Sequence, residues 1–158
     1  ARESSVADAG RSILTALEEK NGSAYDLALL FCTLARAAGV PAVPAAGLLV
    51  DQEQKAMLHW WAEFYINGFG WIPVDPALAS SVPFDTGVGD KGRWYFGNLD
   101  AYHIAFSRGY QTQTPMLPNG KTTEKIRSYA FRSIWEEATP NISGYSVLWR
   151  IPKITGVY

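Results

Sequence analysis

The apolar and polar positions of this chain sort into two helical stretches followed by strands. From Ser5 to Lys20, Val6, Ala9, Ile13 and Leu17 recur at steps of three and four, one face of an amphipathic helix. Asn21-Gly22 ends it. Ser23-Ala24-Tyr25-Asp26 has the spacing of a capping box, with Ser23 as N-cap and Asp26 at the third helical position, so a second helix is predicted from Ala24. Only Asp26 and Arg36 are charged between there and Ala38, and a helix that apolar is expected to be surrounded by other elements. Gly39-Val40-Pro41 stops it, Ala42 to Val50 reads as the first strand, and the polar Asp51 to Lys55 form a loop.

The stretch His59 to Pro76 reads as one β-hairpin. Aromatic and β-branched residues fill both arms, and Asn67-Gly68 with Gly70 marks the reversal. Pro73 cannot donate to a ladder, so the second arm is expected at a sheet edge or at a bulge. Register decides whether His59 and Asp75 can meet, because directly opposed residues share a face. A two-residue turn would pair Asp75 with Trp60 and send His59 to the other face, whereas a three-residue connection or one bulge puts Asp75 on the His59 side. The latter register is predicted. Asp75 would then fix the tautomer of His59 and stabilise its charged form; the plainer reading is a strand-end histidine and an Asp-Pro turn start.

After Pro76, Leu78 to Gly92 is a long connection with little periodicity, suited either to covering a cleft or to an idle surface loop. Strand-like runs follow at Tyr102 to Ser107, at Tyr129 to Glu136 and at Tyr145 to Ile151, the last two alternating in character. Two helices, then five or six strands without βαβ alternation, indicate an α+β fold: two N-terminal helices packed on a mainly antiparallel sheet. The expected organisation is a single domain over residues 1–158.

Composition narrows the chemistry. An apolar share of 47%, six tryptophans and a formal charge of -1 suit a packed globular domain with no broad attraction for nucleic acid or anionic membrane. The single cysteine, Cys32, excludes an internal disulfide, and His59 and His103 are too far apart in sequence to form a close-spaced ligand motif, so no metal site is expected. No apolar run reaches the 18 residues or so of a membrane span, and the N-terminus lacks the pattern of a signal peptide. A chain beginning at Ala1 rather than Met is expected to be a processed protein or a fragment.

Three stretches carry a resemblance. Gly22-Ser23-Ala24-Tyr25-Asp26-Leu27-Ala28-Leu29-Leu30-Phe31 with Leu34-Ala35-Arg36-Ala37-Ala38-Gly39-Val40-Pro41-Ala42 is similar to the nucleophile helix and following turn of the transglutaminase-like superfamily. His59-Trp60-Trp61-Ala62-Glu63 resembles its histidine strand, and Gly70-Trp71-Ile72-Pro73-Val74-Asp75-Pro76 its aspartate strand. The match runs over residues 22–79; Tyr95 to Asp100 and Ile104 to Gly109 also resemble the continuation in some bacterial members. The resemblance implies a papain-like core with His59 as base and Asp75 as its orienting carboxylate. It places the nucleophile at residue 24, where members with a working site have cysteine and this chain has Ala24. The arginine common after the Gly-Ile-Pro-Ala turn is replaced by Val43.

The chemistry so implied starts from a thiolate at a helix N-terminus, activated by His59, that attacks an amide to give a thioester. Alanine has no lone pair for that step. Cys32 lies about 12 Å further along the helix and reads as core; Ser23 is closer, but an N-cap hydroxyl is occupied by its own helix. Trp60, Trp61, Glu63 and Trp71 are candidate binding residues, against a core reading for the tryptophans and a cross-strand ion pair for Glu63. His103 has no evident partner in the sequence and reads as structural. Three functions stay open: a non-catalytic module binding peptide, protein or glycan; a cysteine transglutaminase, amidase or peptidase in a Cys-to-Ala form; and an enzyme using Ser23. No cofactor is implied, calcium included. An envelope, periplasmic or secreted setting is favoured over the cytoplasm.

Overall fold

The structure is a computed structural model, and its described residues are 13–80, 84, 87–113, 127–130 and 153–155. Helix α1 (Ile13–Glu19) and helix α2 (Ala24–Ala37) come first. The capping box forms as predicted: the Ser23 N–H donates to Asp26 Oδ2 at 2.9 Å and the Asp26 N–H donates to Ser23 Oγ at 3.3 Å. Satisfying these otherwise orphaned donors fixes where α2 begins.

Strands β1 (Ala42–Val50), β2 (Ala56–Ile66) and β3 (Gly70–Val74) follow, then the short helices α3 (Pro76–Ala79) and α4 (Lys91–Trp94), strand β4 (His103–Arg108) and a separate pair, β5 (Tyr110–Gln113) with β6 (Arg127–Ala130). The main sheet is antiparallel in the order β3-β2-β1-β4. The fold is therefore α+β, two helices followed by a four-stranded antiparallel sheet. Pro73 does lie on an edge strand, where its missing N–H costs no ladder bond. The connection after Pro76 is less open than its composition suggested, since α3 and α4 stand at its two ends. The expected first-helix residues before Ile13, the run beyond Ala130 and the strand at Tyr145 to Ile151 lie outside the described residues.

Sheet parity sorts the packing into layers. Even-numbered Trp60, Ala62 and Phe64 of β2, with Ala42, Ala46, Ile72 and Val74, pack against Tyr25, Leu29, Phe31, Cys32 and Ala35 of α2. The odd-numbered face is covered by the α3–α4 region, where Leu49, Leu78 and Tyr95 form a second buried cluster. β1 is buried on both faces, which explains its near-continuous apolar run, Ala42 to Val50. Each large side chain withdrawn from water there contributes about 1.5–3 kcal/mol.

Candidate functional site

Ile66 pairs with Gly70, so Asn67-Gly68-Phe69 make a three-residue connection and Tyr65, Glu63 and Ala62 face Trp71, Pro73 and Val74. Continued by one residue, that register sets Asp75 on the face of Trp61 and His59. His59 Nε2 lies 2.6 Å from Asp75 Oδ2, with His59 4% and Asp75 0% exposed. Asp75 is also the N-cap of α3: its Oδ1 accepts from the Leu78 N–H at 2.9 Å, and its own N–H donates to the Tyr95 carbonyl at 2.9 Å. The two readings of Asp75, turn start and histidine partner, are thus served by different oxygens of one carboxylate.

A third group joins them. His103 Nε2 lies 3.0 Å from the same Asp75 Oδ2, and His103 Nδ1 lies 2.8 Å from Asp100 Oδ1. Asp100 in turn accepts from the Tyr95 hydroxyl at 2.6 Å and the Tyr102 N–H at 3.1 Å. Trp61, 2% exposed, closes the cluster, its ring centroid 5.3 Å from that of His103 and 6.4 Å from that of His59. The reading of His103 as a histidine without a partner is corrected by this geometry. Its local signal was Asp100 three residues earlier; its contact with Asp75 depends on β4 pairing with the far edge of β1.

Burial works against the charge on Asp75, but bonds from His103 and His59, the His59 charge and the Leu78 N–H outweigh it and hold the carboxyl well below its ordinary range. For His103, burial likewise opposes the charged ring, while Asp75 and Asp100 together raise its affinity for the proton. One nitrogen of His59, Nε2, is committed to Asp75, leaving Nδ1 as the nitrogen for any chemistry. His59, Asp75 and His103 also offer three ligand atoms within 4.8 Å of one another, a donor set of two imidazoles and a carboxylate that a zinc-like ion accepts. Their 2.6 and 3.0 Å separations are also within hydrogen-bonding range.

The remaining candidates divide. Ala24 opens α2, half-buried, and its methyl group adds nothing to the polar cluster. Ser23 Oγ is engaged within its own cap, accepting from Asp26 N–H and donating to Asp26 Oδ2 at 2.9 Å. Cys32 is fully buried, and burial, partly offset by Arg36, pushes its thiol up to about 11. Trp60 packs edge-on against Tyr25 at 5.9 Å, and Trp61 is a wall of the buried cluster. Glu63 makes the cross-strand ion pair, 2.5 Å from Arg108 Nε, and the Arg108 guanidinium lies 4.3 Å over the half-exposed Trp71 ring. Val43 is the direct register partner of Glu63, and the guanidinium beside Glu63 comes from Arg108 of β4.

Comparison with known proteins agrees with this architecture. Residues 2–76 match the model of the transglutaminase-like superfamily core. A protein of Haemophilus influenzae described only as uncharacterized is 30% identical, over 54% of this chain and 31% of its own length. The chain thus spans about a third of that relative. No solved structure matches at a significant level. Residues 2–76, which hold the capped helix α2, the histidine strand and Asp75, are thus similar to the core of the transglutaminase-like superfamily.

Proposed function

We propose that this domain is a transglutaminase-like module without thiol-based amide chemistry, which binds a peptide, protein or glycan ligand. The observation that carries the reading is Ala24 at the first helical position of α2, where the chemistry of the superfamily needs a nucleophile. Neither Ser23, held in its cap, nor Cys32, buried with a raised thiol pKa, is placed to substitute. Tyr65 and Trp71, whose rings meet at 5.5 Å, with Glu63 and Arg108 beside them, offer the stacking and polar contacts that such ligands use. The test is turnover of glutamine-containing peptides with and without an amine acceptor, following ammonia release and amine incorporation. No turnover above a His59→Ala control is expected; His59-dependent turnover by the protein as it stands would overturn the reading. In parallel, Trp71→Ala should weaken binding to whichever peptide or glycan a panel identifies.

One observation favours a second reading, a cysteine enzyme in a Cys-to-Ala form: the His59–Asp75 bond is in place and buried. Alkylation of Ala24→Cys across pH separates the two. Fast labelling that is lost with His59→Ala supports the enzyme, and labelling at the rate of an ordinary thiol supports the binding module.

A further inference from the structure

His59, Asp75 and His103 reach one point from three elements, β2, the head of α3 and β4, and one ligand atom of each lies within 4.8 Å of the others. The expectation of no metal site came from the separation of the two histidines along the chain. Strand β1 cancels that separation: Gly47 pairs with His59 on one side, and Leu49, two residues on and on the same face, pairs with His103 on the other. The two imidazole rings stand 5.8 Å apart, inclined at 64°, and both bring Nε2 to Asp75 Oδ2.

The surroundings of these donors are those of a ligand set. A metal-bound imidazole is held through its other nitrogen, and a metal-bound carboxylate is itself hydrogen-bonded. His103 Nδ1 lies 2.8 Å from Asp100 Oδ1, and Asp100 is fixed in turn by the Tyr95 hydroxyl and the Tyr102 N–H. Asp75 Oδ1 accepts from the Leu78 N–H at 2.9 Å, which leaves Oδ2 to face both rings. The three side chains are buried, with the Trp61 ring as an apolar wall.

We propose that His59, Asp75 and His103 bind one zinc-class divalent cation, with Asp100 as the outer carboxylate that orients His103. Two imidazoles and a carboxylate suit zinc, which takes nitrogen and oxygen at about 2.0–2.2 Å and, with three protein ligands, keeps a fourth position for water or an anion. Calcium and magnesium are hard ions bound through oxygen, and this donor set offers one carboxylate. Tetrahedral donors at those bond lengths stand about 3.3 Å apart. Loading therefore draws Asp75 Oδ2 back from its 2.6 and 3.0 Å contacts by several tenths of an ångström, a movement within reach of side-chain torsions. The site adds a metal to the module proposed above and does not depend on what that module binds, or on a nucleophile at residue 24.

The whole chain, labelled with 15N-histidine and freed of metal with a chelator, is equilibrated with zinc chloride at pH 7. One zinc per chain should bind with micromolar or tighter affinity in competition with a chromophoric chelator. The chain holds only two histidines, and the ring-nitrogen signals of both should move together. Tm should rise with zinc and not with magnesium or calcium. Asp100→Asn should weaken zinc binding about 10–100-fold, His103→Ala should remove the micromolar site, and Cys32→Ser should leave it unchanged. Absence of saturable zinc binding to the unmutated protein would overturn the proposal, and needs no variant to fold. Movement of one histidine alone, affinity indifferent to His103→Ala, or affinity lost with Cys32→Ser would place the ion elsewhere and overturn it equally.

Discussion

Gly47 stands directly across from His59 in the β1–β2 ladder, and the carbonyl oxygen of Ile104 occupies the place its side chain would need. A Cβ built at Gly47 would lie 1.9 Å from that oxygen and 3.0 Å from the Trp61 ring. The register between β1 and β4 shifts between Ala46 and Gly47, and this close approach is what lets β4 bring His103 over Asp75.

Gly47→Ala should therefore disturb both the sheet and the site. The obstacle is backbone rather than a flexible side-chain end, so β4 must move. Overpacking of this kind costs about 1–3 kcal/mol, or roughly 2–12 °C in Tm at this chain length. Thermal unfolding checks the stability, and the His103 ring-nitrogen signals check the site. A variant with unchanged Tm and unchanged imidazole signals would mean that β4 does not approach as described.

The pH dependence of stability should have two limbs. The Asp75 carboxyl is held below its ordinary range in the folded protein, so its contribution is present above an unfolded value of about 3.9 and is lost as pH falls through the folded one. His103 is raised, so its contribution is complete below an unfolded value of about 6.5 and is lost as pH rises through the folded one. Urea midpoints should be highest between about pH 4 and 6.5. His103→Gln should flatten the alkaline limb and Asp75→Asn the acid limb. Limbs that persist in these variants would assign the dependence to other groups.

What was legible in the sequence was local. Ser23 and Asp26 announce a helix start because a capping box spans four residues, and the strand Ala42 to Val50 is a single apolar run. The meeting of His59 with Asp75 was within reach because one turn length decides it, and Asn67-Gly68-Phe69 is short enough to reason about. His103 and Arg108 were not, because their partners Asp75 and Glu63 are 28 and 45 residues distant and are reached only through the β1–β4 pairing. Periodicity reports which face a residue takes, not which strand lies beside it.

Cys32 should behave as a reporter of unfolding. It is fully buried between α2 and the sheet, and its thiol is pushed up to about 11. Thiolate is the reactive form, so at pH 8 the ionised fraction falls below that of a free thiol of pKa about 8.5 by roughly two-hundredfold, before burial slows access further. Aromatic disulfide reagents should label the native protein at least that much more slowly than the urea-unfolded chain. Rapid labelling without denaturant would show that α2 opens readily or packs differently.

The charge that crosses β1 offers the last test. Glu63 has Val43 as its register partner, yet its ion pair is with Arg108, whose own partner is Ala45. An arginine at residue 43 would stand opposite Glu63 on the same face, so the two positions are alternative sources of one guanidinium. Arg108→Ala should cost about 0.5–1 kcal/mol, since the pair is partly exposed and its stacking on Trp71 adds a similar small amount. A Glu63→Gln and Arg108→Ala double-mutant cycle should show coupling of about that size, weakened by salt. Val43→Arg placed in the Arg108→Ala background should recover part of the loss, and should do so only while Glu63 is present. Recovery that survives Glu63→Gln would assign the effect to packing on the sheet face instead of to charge, and no recovery at all would mean that the geometry at β4 cannot be replaced from β1.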